Sequence, residues 1–506
     1  RSSIPFCRPE TRFRAGIPEL AATGPALKSR MMPVEPLHYS PRMETLLRHP
    51  SLLRLQRVPQ LTVVRTAAPG GTHNRYEHSL GVAESMRKLL SGLLDEPFFM
   101  TILSNNSIEL GILAGLLSSL TRFPYSNIIH EIHQRASGES ARPFANVSRK
   151  ALLDKLLNGK RAYSDGLTLS ECISKHFPEV DQTALVHVLS ARSPSELASP
   201  TERTIYSLLN SSLDARVIDF VRRDSHHLGI RGMDSELLDD LLPHLTLERR
   251  SIEEGKPAVL LKQTGISVAE RIILQRYWLY QRVYWNRPNR MLASAIKWAL
   301  TELNNYDTFE PSLLEIALDV DEPGFLSFCK HFATEHGRTD IRDFLELVTG
   351  DEPVLYNDVI SYSEAELSRG DIDQDDRRLL RMVLEDRIGH SKLHQVSRVL
   401  SEYVSTLHPE AESRGPLVIV DLPFEPDSRK LGEDIRVAFS RSFGSDHSAF
   451  GPLDKASPVI QGVIEGFRKE LTRMRVFVRP DIHPTRSLRE PLHANLVKAV
   501  QYELQN

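Results

Sequence analysis

The polar and apolar pattern of the chain changes character twice. Across residues 1–40 the apolar positions keep no sustained period and are interspersed with Pro and Gly, which reads as an extended arm. From Pro41 to Asn305 the period is helical. In "HSLGVAESMRKLLSGLL" (78–94), Leu80, Val82, Met86, Leu89, Leu90 and Leu93 gather near one stripe. The stretch "AERIILQRYWLYQRVYW" (269–285) continues in the same style, and a β-leaning piece, "KPAVLLK" (256–262), interrupts the helices. After residue 305 the pattern is mixed. "RDFLELV" (342–348) and "DRRLLRMVLEDRIG" (376–389) are helical, whereas "GPLVIVDLPF" (415–424) and "RMRVFVRP" (473–480) read as buried strands. The expected organisation is therefore a mainly α protein: an extended arm over 1–40, a helical core over 41–305, and smaller α+β lobes over 306–506. No internal repeat or low-complexity tract interrupts it.

Composition narrows the classes without choosing among them. A chain of 506 residues exceeds one compact core, and 41% hydrophobic with 25% charged residues is ordinary for a soluble globular protein. The net charge of -3 supplies no general attraction to nucleic acid. Cys7, Cys172 and Cys329 are odd in number and far apart, which argues for a reducing compartment and against a disulfide framework or a zinc cluster. No apolar run approaches the roughly 18 residues of a membrane span. Residues 1–30 carry Arg1, Arg8, Arg12, Arg14, Lys28 and Arg30 against Glu10 and Glu19. That bias fits a solvated basic arm over a partner, or an organelle-targeting segment, so cytoplasm and mitochondrial matrix are both open.

Four stretches carry more. In order they are "LLRLQRVPQL" (52–61), "APGGTHNRYEHSLGV" (68–82), "DARVIDFVRRDSHHLGI" (214–230) and "RVYWNRPNR" (282–290). Together they resemble the HD-domain deoxynucleoside triphosphate triphosphohydrolases and their bacterial relatives, across residues 41–300. The resemblance implies an HD-domain helical core. It also implies a divalent metal held by a histidine, a His-Asp pair and a distant aspartate, a set suited to polarising phosphate and lowering the pKa of bound water.

Against that pattern His78 keeps the first ligand position. The His-Asp pair falls on Ser118 and Ser119 of "AGLLSSL", and the last aspartate on Arg216, in a register anchored by Asp219, Phe220, Arg223 and Asp224. The family's proton-transfer histidines fall on Arg122 and Asn127 of "TRFPYSN", and an arginine stays protonated and cannot act as acid or base. Its next His-Glu pair is not recognisable in "FANVSRKALL". A guanidinium about 4 Å from a divalent ion costs about 8 kcal/mol at an effective dielectric of 20, so Arg122 and Arg216 facing the old cavity would exclude a cation. They would also replace its charge, leaving a pocket for a triphosphate, a nucleic-acid phosphate or an acidic side chain.

The leading expectation is a pseudoenzyme without cofactor: a scaffold, regulatory or nucleotide-binding subunit. Its phosphate-binding residues would be drawn from Arg75, His78, Arg122, Arg216, Asp224, Tyr284 and Arg290. Each also has a structural reading, Arg75 and His78 as cap and packing at a helix start, Asp224 as an ion pair with Arg223 or Arg290. Phe220, Trp285, His226 and His227 are packing candidates near the same pocket. Asp214, two positions before Arg216, points away from it on helical geometry. A second expectation is an active triphosphohydrolase with a metal site rebuilt around His78, His130, His133 and Asp224. A third is a structural component of a ribonucleoprotein or respiratory assembly, anchored by the basic arm. Similar folds associate through helical faces, so a homo-oligomer or larger assembly is expected.

Overall fold

The computed structural model describes residues 17–20, 26–27, 37–94, 96, 99–135, 144, 148–159, 166–231, 236–247, 259–369, 372–385, 388–411, 414–423, 431–439, 450–482 and 487–505. Most of the basic arm, Cys7, and residues 256–258 of the β-leaning stretch lie outside them. The fold is mainly helical with small sheets.

Helix α1 (Arg75–Leu93) begins where Asn74, in an extended conformation, accepts the Glu77 amide at 3.0 Å on its side-chain oxygen. Asn74 supplies the N-cap, so Arg75 and His78 are released from that task. Helix α2 (Asn105–Leu117) is buried from Ile108 to Leu117, as expected of a central helix apolar on all sides. Helix α3 (Ser126–Arg135) follows, then α4 (Arg149–Asn158) and α5 (Pro200–Leu209). Helix α6 (Ala215–His227) packs on α1 with Val217, Ile218 and Val221 buried.

The expected continuous helix over 269–285 is a correction. Helix α7 covers Ile266–Leu279, and Tyr280–Tyr284 then form a π-turn, whose extra residue shifts the phase of every later side chain. Asn286 caps α8 (Arg287–Leu303), which is buried from Asn289 to Leu303.

Strands β1 (Leu245–Leu247) and β2 (Val259–Lys262) pair antiparallel. A three-stranded sheet contains β3 (Asn357–Ser363), β4 (Val418–Asp421) and β7 (Arg473–Val478), with β7 central and both pairings antiparallel, and Ala26–Leu27 pairs antiparallel with Leu37–His38 in the arm. Strands β5 (Arg436–Ala438) and β6 (Phe450–Pro452) extend the first sheet, β5 running parallel to β2. Two large apolar clusters result, with a small third of Ala191, Leu197 and Tyr206. One runs from Ile17 through the helices to Phe477; the other, from Ile360 to Val500, lies under the three-stranded sheet and its helices. Of the arm, Ile17 and Leu20 dock on the first cluster, and Glu19 pairs with Arg42. Among the described residues no helix is long and apolar enough to cross a membrane.

Candidate functional site

His78, one turn into α1, is buried, and its Nδ1 lies 2.7 Å from Asp219 Oδ2 on α6. Arg223, one turn further along α6, donates to the same carboxylate from Nε at 2.9 Å and Nη2 at 2.8 Å. Burial alone would raise the Asp219 carboxyl, but Arg223 and His78 hold it well below the usual range. The carboxylate is ionised, so His78 donates from Nδ1 and keeps its lone pair on Nε2. Burial lowers the His78 pKa, Asp219 opposes this, and Arg75 and Arg223 lower it again; the ring is neutral. Gly81 makes the arrangement feasible: a Cβ there would fall 1.7 Å from Asp219 Oδ1 and 2.4 Å from Arg223 Nη2.

A carboxylate orienting the far nitrogen of a histidine is the support that metal-bound imidazoles receive. The residues around His78 do not follow that chemistry. Ser118 and Ser119 are buried at the end of α2, and Ser118 Oγ has no hydrogen-bond partner among the described residues. Arg216 donates to Asn210 Oδ1 at 2.6 Å and lies 3.5 Å from Asp214 Oδ2. Among the described residues no group of three or more His, Cys, Asp or Glu is placed to hold a metal. A divalent ion does not fit this residue set, and a site rebuilt from His78, His130, His133 and Asp224 is not assembled. His130 is exposed on α3, and Asp224 is engaged elsewhere.

Arginines fill the region instead. Desolvation, then repulsion from Arg75 and Arg216, lowers the Arg122 pKa. Arg149, at the start of α4, is lowered by desolvation, then by Arg216 and Arg122. Arg75 and Arg216 thus lie near Arg122, and Arg122 and Arg216 near Arg149. Among the described residues Arg75, Arg122 and Arg149 make no carboxylate pair. Arg122 donates to Asn127 Oδ1 at 3.1 Å, Arg149 to the Ser118 carbonyl at 3.4 Å, and Arg75 to the Gln60 carbonyl at 3.5 Å. Arg149 escaped sequence reasoning, because it lies in a stretch with no recognisable motif.

Beside Arg75, Asp224 accepts from His73 Nε2 at 2.8 Å and from the Tyr284 hydroxyl. The expected ion pair of Asp224 with Arg223 or Arg290 is corrected, because Arg223 is spent on Asp219. His73 stacks on His227 with ring centroids 4.3 Å apart. Burial, then Asp224, raises the Tyr284 hydroxyl well above its ordinary pKa, so it donates. The π-turn delivers this hydroxyl. His73 was legible within "APGGTHNRYEH", but its partner lies 151 residues away.

Two placements differ from expectation. Asp214 is the N-cap of α6, accepting the Val217 amide at 2.7 Å, and its extended backbone brings it toward Arg216. Rotation per residue within a helix does not apply to a cap. Arg290 does not join the arginines. Its guanidinium bonds Asp421 at 2.7 and 2.9 Å and Glu131 at 2.9 and 3.2 Å, and Lys297 reaches the same two carboxylates at 3.0 and 2.9 Å.

A histidine on one buried helix is thus oriented by a carboxylate on the helix packed against it. No protein-family model matches the chain. It is 24% identical to the uncharacterized protein YwfO of Bacillus subtilis over 245 residues, 47% of this chain and 46% of that one. It is 26% identical over 249 residues to the deoxynucleoside triphosphate triphosphohydrolase SAMHD1 of Gallus gallus, 45% of this chain and 38% of that one. The mimivirus protein L394, named for an HD domain, is 23% identical over 261 residues, 48% and 50% of the two chains. The chain thus spans about half the length, or less, of these curated relatives. Two solved structures share the fold over nearly their whole length. A hypothetical protein from Aquifex aeolicus has TM-score 0.58 and 17% identity over 92% of this chain and 98% of that one. A phosphohydrolase from Bacteroides thetaiotaomicron has TM-score 0.55 and 15% identity over 86% and 95%. Over about half its length the chain thus resembles HD-domain proteins in sequence, and it shares the fold of these two structures.

Proposed function

We propose that this chain is a catalytically degenerate relative of the HD triphosphohydrolases, whose former metal cavity holds an anion and which acts as a regulatory or scaffold subunit. The observation that carries this reading is the proximity of Arg122 to Arg75 and Arg216 and of Arg149 to Arg122 and Arg216, with Arg75 near His78 and Arg149 donating to the carbonyl of Ser118. Neighbouring like charges repel, and an anion with several acceptor oxygens relieves that repulsion. A nucleotide polyphosphate is the class best matched to four guanidinium groups. The serines and arginines supply neither metal ligands nor a group titrating near neutrality to move a proton.

The test joins turnover to binding. Phosphate and triphosphate release is measured on deoxy- and ribonucleotides with magnesium, manganese and iron, alongside metal-free calorimetry with deoxynucleoside triphosphates and inorganic triphosphate. No turnover is expected, and triphosphate is expected to bind at least tenfold more weakly to Arg149→Ala. Turnover abolished by His78→Ala, or binding unaffected by Arg149→Ala, would overturn the proposal.

A further inference from the structure

A cavity of about 270 Å³ lies between α5, β1, β2 and the loop before β5. Its apolar walls include Leu208, Leu213, Leu260, Leu261 and Ile435; Asp434 and the exposed Arg192 also line it. Asp434 Oδ2 accepts the Ser212 amide at 2.9 Å and Oδ1 the Ser212 hydroxyl at 2.6 Å. These bonds fix the carboxylate at the wall without neutralising it. Among the described residues no Lys, Arg or His pairs with it. Burial pushes its pKa to about 6, Ser212 opposes the shift, and the nearby charge of Asp214 has the same sign. A largely apolar cavity with one fixed polar group is the usual form of a small-ligand site, and this one is at the small end of that range.

We propose that this cavity binds a small molecule with an aliphatic or aromatic body and a protonated amine, the ammonium pairing with Asp434. A carboxylate with two neutral donors on one side retains lone pairs for a charged donor on the other. The leucines and Ile435 accept the apolar body. An anionic amphiphile would meet the fixed carboxylate of Asp434, and the cation lining the cavity, Arg192, is exposed to solvent. This inference does not depend on the proposed anion site.

Calorimetry at pH 7.5 with hexylamine, hexanol and hexanoate on the full chain tests it. Hexylamine is expected to bind at least tenfold more tightly than hexanol, with hexanoate weakest. Asp434→Asn should remove the preference for the amine while leaving hexanol binding, and Leu260→Trp should abolish binding of both. Circular dichroism confirms that each variant is folded; should Leu260→Trp fail to fold, Leu208→Phe takes its place. No binding of any probe at millimolar concentration would overturn the proposal. So would equal affinity for amine and alcohol, or a preference that survives Asp434→Asn.

Discussion

Asp219→Asn tests the junction on which the site is built. The side chain is wholly buried and accepts bonds from His78 Nδ1, Arg223 Nε and Arg223 Nη2. Asparagine has the same shape, so no cavity opens. The change turns one acceptor into a donor facing other donors and removes the charge that balances Arg223. The carboxylates that remain near Arg223 are Glu77, 3.9 Å away, and Asp224. Breaking a buried pair by altering one partner costs about 3–5 kcal/mol, which corresponds to roughly two to four powers of ten in an equilibrium. Native-state hydrogen exchange of amides in α1 and α6 reads this as lost protection. The loss should persist between 0.1 and 1 M salt, because buried charges are poorly screened. Arg223→Met in the Asp219→Asn background should recover at least about 2 kcal/mol, a coupling that separated sites would not show. Protection changed less than tenfold, or costs that simply add, would refute the assignment of Asp219 as the shared anchor.

Gly81→Ala places a methyl group on the same carboxylate and guanidinium, and should lower thermal stability as much as Asp219→Asn; an unchanged melting temperature would mean that α1 and α6 are less tightly apposed. Burial, then His73, Arg223 and His226, depress the His227 pKa to about 4. A histidine whose folded pKa is depressed resists protonation, so stability should fall as pH drops from about 6.5 toward 4. His227→Asn should flatten that part of the urea-midpoint profile. Restoring the family ligands with Ser118→His, Ser119→Asp and Arg216→Asp should recover one divalent metal per chain by elemental analysis. A folded triple variant that binds none would show that His78 Nε2 is not aimed at those positions. Asp421→Ala strands Arg290 and Lys297 with Glu131 and should raise proteolysis at the three-stranded sheet, at a cost of about 3–5 kcal/mol.

The helical core and the buried strands were legible because their signals are local. The stripe of α1 and the apolar run of β4 appear in the residues themselves. The substitutions at Ser118, Ser119, Arg122 and Arg216 were legible through motif register. What they assemble into was not. Arg149 opens an amphipathic helix, where an arginine ordinarily faces solvent, and its significance depends on residues up to 67 positions away. The π-turn at Tyr280–Tyr284 keeps a helical apolar period, so composition alone does not reveal the phase slip. Arg290 lay within a quoted motif, yet its position is decided by Asp421, 131 residues later. A motif names neighbours in sequence, and these functions are set by neighbours in space.

The ring of Glu131, Arg290, Lys297 and Asp421 constrains how the chain reaches its native state. During synthesis the first three emerge long before the fourth, so a nascent chain stopped before β4 carries two cations and one anion at a place destined for burial. The same chain lacks Leu431, Val437, Ile460 and Phe477, which complete the apolar cluster of the helical core. The N-terminal half therefore cannot close on itself as it leaves the ribosome and must wait for the last quarter of the polypeptide. Shortening the protein from its C-terminal end would not release an independent HD module; it would leave one unfinished.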